Sequence, residues 1–174
     1  SRETYHALLK AGLRVDQCHY CKNDSIATID DFNCLFDLLL KFKDKNGNPP
    51  IITANSVVAN PDFKKIKEAK YEKYFYELLT ETLTKYPDTD FSLWEKGKEL
   101  NIFYPQFHGR EHLNIFRWID RLKEGSKETR TAFDYDFFGI STIISNEKNP
   151  SFMAALDADS ETELLELRKI IEEG

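Results

Sequence analysis

The stretch Ile102-Phe103-Tyr104-Pro105-Gln106-Phe107-His108-Gly109-Arg110-Glu111-His112-Leu113-Asn114 decides how this chain is read. An apolar run, Ile102 to Phe107, leads into a polar cluster and then into an amphipathic helical pattern, Leu113 to Leu122, closed by Gly125. His108 and His112 are four residues apart, a spacing that on a helix places both imidazoles on one face, where they can close on one metal ion. Neutral imidazole is a favoured ligand for zinc. Such a pair also caps helices or faces solvent. Its position where a strand passes into a helix favours the metal, because barrel and open α/β enzymes place their chemistry there. Pro105 removes a ladder donor from that strand, so the strand is either short and irregular or ends at Pro105 with His108 on a loop.

Upstream, Ile51 to Val58 is β-branched and nearly continuous in apolar character, which predicts a strand buried on both faces. Thr28 caps a helix whose first turn carries Asp30 and Asp31 and whose apolar stripe is Phe32, Leu35, Phe36, Leu39 and Leu40. The turn Lys43 to Pro50 ends it. A helix from Thr4 to Lys10 stops at Gly12. Asn60-Pro61-Asp62 opens a Lys/Glu-rich helical segment, and the aromatic residues between Tyr71 and Tyr76 read as core packing.

Downstream, the pattern predicts short helices over Ser92–Leu100 and Ser126–Ala132, a possible third strand over Phe137–Ile144, and a last helix, Glu161 to Glu172, capped by Ser160. Strands alternate with helices, so the class is α/β with parallel strands. The 174 residues fit one domain.

Composition excludes several functions. With 41% hydrophobic and 31% charged residues the chain has ordinary globular composition. The net charge of -6 argues against a nucleic-acid surface. Lys64, Lys65, Lys67, Lys70 and Lys73 are interleaved with Glu68, Glu72 and Glu77, which makes a solvated helix face. No apolar run approaches the roughly 18 residues that span a bilayer, and the polar start Ser1-Arg2-Glu3-Thr4 shows no export signal. The compartment is not specified, with the cytoplasm favoured, and nothing fixes the oligomeric state. Cys18-His19-Tyr20-Cys21 lacks the partners of a zinc finger and the preceding strand of a redox site, so the thiols read as structural and zinc-free, with Cys34 buried on its helix.

From Pro49-Pro50-Ile51-Ile52-Thr53-Ala54-Asn55 through Phe107-His108-Gly109-Arg110-Glu111-His112-Leu113-Asn114 the chain resembles polysaccharide deacetylases of the NodB-homology type, and more narrowly a Bacteroides-type polysaccharide deacetylase-like branch. The likeness runs over roughly Thr4 to Glu172, with HxxxH its specific motif. It implies part of a distorted (β/α) barrel that binds a divalent metal, usually zinc, through one Asp and two His, here His108 and His112. The implied reaction is hydrolytic removal of acetyl groups from an N- or O-acetylated carbohydrate. A barrel that keeps a sugar groove without catalysis is the alternative.

The family's Asp-Asp motif, which supplies the base and the third ligand, has no counterpart. Asp30-Asp31 opens a helix instead of ending a strand, so the role is not transferred. The expected account is an internal fragment of a larger barrel. Asn55, near the end of the first strand, and Arg110 and Glu111, between the histidines, are the expected substrate-side residues.

Overall fold

A computed structural model describes residues 2–140 and 151–173. The chain mixes helices with short strands. In order they are α1 (Arg2–Lys10), a 3-10 turn (Val15–Gln17), α2 (His19–Asn23), α3 (Ile29–Lys41), β1 (Ile52–Ser56), β2 (Ala59–Pro61) and α4 (Phe63–Glu68). Then follow β3 (Tyr76–Leu78), α5 (Leu79–Leu83), α6 (Ser92–Glu99), β4 (Phe103–Phe107), α7 (Ile115–Lys123), α8 (Lys127–Phe133) and α9 (Glu161–Glu173). β1 pairs with β4 in parallel, and β2 pairs with β3. Two compact units emerge, a strand unit of Ile26–Asn60 and Glu77–Gly109, and a helical unit of Ser1–Ser25, Pro61–Tyr76 and Arg110–Gly174.

In the strand unit, α3 begins in a reciprocal cap. The Asp31 amide donates to Thr28 Oγ1 at 3.2 Å, and the Thr28 amide donates to the Asp31 carboxylate at 2.9 Å. That amide, with the Thr28 hydroxyl that donates to the same carboxylate at 2.8 Å, holds the Asp31 carboxyl below the usual carboxylate range. Phe32, Phe36 and Leu39 bury one stripe of the helix. Leu40 falls at the border of that stripe and Cys34 on the opposite side, so both are exposed, against expectation.

The stripe packs on Ile52 and Ala54 of β1 and on Phe103 of β4, with Leu93 and Trp94 from α6. Gly97 lets α6 approach: a Cβ there would lie 2.7 Å from Phe103 Cβ and 2.8 Å from Phe36 Cζ.

The register Ile52↔Phe103 to Ser56↔Phe107 decides between the two readings of Pro105 and corrects the expectation for β1. Pro105 is inside β4 and does not end it. Ile52 donates to the Ile102 carbonyl and His108 donates to the Ser56 carbonyl, so the even residues bond β1. The nitrogen of Pro105 therefore points away from β1, where no ladder donor is needed. β1 is also not buried on both faces. Ile52, Ala54 and Ser56 are part-buried, whereas Thr53 and Asn55 are exposed, because α3 and α6 cover one face only.

The helical unit is built around α7. Ile115, Trp118, Ile119 and Leu122 are buried with Ile66, Leu113, Phe133 and Phe152. Tyr71, Tyr74 and Phe75 pack against that core, as the aromatic run predicts. The ring of Phe63 meets Trp118 edge-on at 5.9 Å, a geometry that adds to simple burial. α1 ends at Gly12 with φ +92°, where Leu13 donates to the Leu8 carbonyl at 3.0 Å. Leu8 then packs with Leu13, Val15, Ala132 and Ile140.

Ser126 caps α8, and Ser160 Oγ accepts the Glu163 amide at the start of α9. Of the apolar positions expected to line that helix, Leu167 is buried while Leu164, Leu165 and Ile171 are exposed. Phe137 to Ile140 forms turn and irregular backbone, not the start of a third strand; the remainder of Phe137–Ile144 lies outside the described residues.

Candidate functional site

The site begins at the C-terminal ends of β1 and β4, which finish level because Ser56 pairs with Phe107. The His108 amide extends the ladder with a 2.9 Å bond to the Ser56 carbonyl. Gly109, at φ +106°, turns the chain, and its carbonyl accepts the Val58 amide at 3.3 Å. That positive φ is strained for residues with a Cβ, which explains the glycine. His108 is exposed at this edge, and Asn55 is exposed on the neighbouring strand.

Residues 108–114 are not helical, and α7 starts at Ile115. The expectation that His108 and His112 share a helix face is therefore corrected. Asn114 begins the helix by accepting the Arg117 amide on its side chain at 3.1 Å. A strong N-cap sets the start of a helix and leaves the preceding residues as loop. His108 belongs to the strand unit and His112 to the helical unit, and each is exposed.

Arg110 and Glu111 are buried against one another. Arg110 Nε donates to Glu111 Oε2 at 2.7 Å and Nη2 to Oε1 at 2.9 Å, a two-pronged pair with side-chain exposures of 6% and 3%. Nη1 donates to Glu173 of α9 at 2.8 Å. The guanidinium lies 4.4 Å from the centre of the Tyr76 ring and 5.7 Å from that of Tyr74. Charge-assisted, planar pairing of this kind fixes both side chains and the loop that carries them. Burial and the Glu111 charge also push the Tyr74 hydroxyl far above its ordinary value, so it stays protonated.

Residue types alone do not single out Asn114 and Arg117 for what they do here. Asn114 is fully buried, and its Nδ2 donates to the carbonyls of Ala154 at 3.1 Å and Asp157 at 2.9 Å. Its backbone amide donates to the Phe152 carbonyl. Arg117 pairs with Asp159 at 2.7 Å and Asp157 at 3.2 Å, and holds the Asp159 carboxyl below its usual range. The position of Asn114 ahead of an apolar helix announces the cap; the contacts with the 152–159 segment have no local signal.

Cys18 and Cys21 make hydrogen bonds within the fold. Cys18 Sγ accepts the Cys21 amide at 3.4 Å, and Cys21 Sγ donates to the Gly139 carbonyl at 3.5 Å. Burial, helped by Cys18, pushes the Cys21 thiol up to about 12. A thiol so raised is a poor nucleophile and a poor ligand near neutrality.

Among the described residues, no group of three or more His, Cys, Asp or Glu side chains is placed to hold a metal ion. Catalytic zinc takes three protein ligands. The described residues therefore do not furnish a complete donor set. No family model, curated protein or solved structure matches the chain. Among the described residues, no helix is long and apolar enough to cross a membrane.

Proposed function

We propose that the chain is part of a metal-dependent hydrolase that removes acetyl groups from an N- or O-acetylated carbohydrate. It would belong to the polysaccharide deacetylase-like, NodB-homology type and form part of a distorted (β/α) barrel. The observation that carries the reading is the level ending of parallel β1 and β4, with Asn55 and His108 exposed at that edge. Enzymes built on parallel strands gather their reacting groups at this end.

In this reading His108 and His112 are imidazole donors to a divalent cation, zinc first. A carboxylate donor and the base come from outside the described residues. The ladder bond from the His108 amide fixes where that side chain leaves the strand. Arg110 and Glu111 enter as the pair that fixes the loop, and Asn55 as a group that meets substrate. Acetate release from acetylated chitooligosaccharide or acetylxylan, by the protein that carries this chain with zinc supplied, is the test. Release that disappears in His112→Ala and in His108→Ala supports the reading. Absence of release on both glycans overturns it.

The alternative is a sugar-binding barrel without catalysis. Binding of the same glycans with no acetate released would select it.

A further inference from the structure

The hydrolase reading leaves Cys18-His19-Tyr20-Cys21 without a role, yet the fold brings its two cysteines together. Cys18 caps α2 from extended backbone, and its Sγ accepts the Cys21 amide at 3.4 Å. That bond holds the Cys18 sulfur against the backbone of Cys21. The Cys18 side chain is also, after burial, the largest influence on the Cys21 thiol. Cys18 is buried and Cys21 half-buried, while His19 and Tyr20 between them are exposed, so the pair lies just under the surface.

Cys21 Sγ donates in another direction, to the Gly139 carbonyl at 3.5 Å. Gly139 belongs to the turn that follows α8. Ile140 of that turn is fully buried with Leu8 and Val15, and Cys21 packs against the same core. One thiol thus ties α2 to a segment 118 residues away, and both lie within the helical unit.

We infer that Cys18 and Cys21 form a reversible disulfide by exchange with a small-molecule disulfide such as that of glutathione, and that closing it releases the Gly139 carbonyl. One protein thiolate attacks a sulfur of the small disulfide, forms a mixed disulfide and expels a small thiolate. The second protein thiolate attacks the protein sulfur of that mixed disulfide and expels the other small thiolate. The two protons that leave the protein go to the two departing thiolates, so the protein loses two electrons and the small disulfide gains them. The Lys22 amide bonds the Cys18 carbonyl at 3.1 Å, so Cys18 to Cys21 already follow one helical turn. Three residues of α-helix place their Cα atoms about 5 Å apart, inside the roughly 4.4–6.8 Å that a disulfide requires. What remains is a turn of Cys21 about χ1, between staggered positions, from Gly139 to Cys18. A disulfide sulfur carries no hydrogen, so Gly139 loses its donor in the same step.

The test uses the 174-residue chain with Cys34, exposed on α3, replaced by serine. The folded protein is held overnight in glutathione disulfide, because thiols raised by burial exchange slowly, and free thiols are then capped with N-ethylmaleimide. Trypsin cuts after Arg14 and Lys22 and keeps both cysteines on one peptide. That peptide should be lighter by two hydrogens and carry neither maleimide nor glutathione, and dithiothreitol should restore both thiols. Amide hydrogen exchange over residues 137–140 should quicken about threefold on oxidation, the loss of one weak hydrogen bond. Cys21→Ser keeps a donor and cannot close the bond, so it should exchange like the reduced chain with or without oxidant. A peptide that carries two maleimides, or glutathione on one cysteine only, overturns the disulfide. A disulfide that leaves exchange over 137–140 unchanged overturns the link to Gly139.

Discussion

At the ends of β1 and β4 and in the loop that follows, the two units use their polar residues in different ways. In the helical unit the residues after Gly109 turn inward: Arg110 and Glu111 are paired in the interior, and Asn114 is fully buried with three carbonyl partners. In the strand unit the polar side chains near the C-terminal ends of β1 and β4 turn outward: Asn55, Gln106 and His108 are all exposed, although Thr82 elsewhere in the unit is buried and bonded to Asn60 and Glu77. The motif His108-Gly109-Arg110-Glu111-His112 straddles this divide. Its centre maintains structure and its flanking histidines face solvent. A motif is thus not uniformly functional. Burial separates the residues that position a loop from those that can meet a ligand.

The largest effect that would break this contrast is at Arg110. Arg110→Met should destabilise the helical unit by about 3–5 kcal/mol, because it leaves the Glu111 carboxylate buried without its partner. Unfolding followed by Trp118 fluorescence in a Trp94→Phe background checks it, since Trp118 lies fully buried in the core of that unit. Next comes Asn114→Ala. It removes the cap of α7 and two donors to the 152–157 segment, and should cost about 2–3 kcal/mol by the same measurement.

The strand unit is most sensitive where α6 meets β4. Gly97→Ala should cost about 1–2 kcal/mol, since the added methyl meets Phe103 Cβ, which cannot move without its strand. Trp94 fluorescence in a Trp118→Phe background reports it. The smallest effect is on pH dependence at the cap of α3. The folded Asp31 carboxyl ionises below its ordinary value, so its contribution is present above the unfolded value near 4 and fades as pH falls through the folded one. Asp31→Asn should flatten that acid-side slope, seen in melts between about pH 5 and pH 2.

Legibility in the sequence followed how local each cause was. The Thr28 cap, the Gly12 stop and the helix after Asn114 rest on neighbours within four residues, and each formed close to where the pattern placed it. Parallel pairing of the two strands followed from helices alternating with apolar runs. That one face of β1 would be open was hidden, because Ile and Val occur on both faces of that run while coverage depends on distant α6. The helical reading of His108 to His112 failed because a cap at Asn114 outweighs a spacing, and spacing alone implies no helix. The partner of Arg110 on α9 lies 63 residues away, and those of Asn114 lie 40 and 43 residues away. Nothing in the neighbouring residues points to them.

The division of labour between buried and outward-facing polar groups is tested most directly by denaturant unfolding of Glu111→Gln beside Gln106→Ala, both against the unaltered chain. Glu111→Gln should lose about 3 kcal/mol or more, because the Arg110 cation is left buried beside a neutral amide. Gln106→Ala should stay within about 0.5 kcal/mol, as expected of a surface side chain outside the core. Equal losses in the two variants, or a larger loss at Gln106, would contradict the account.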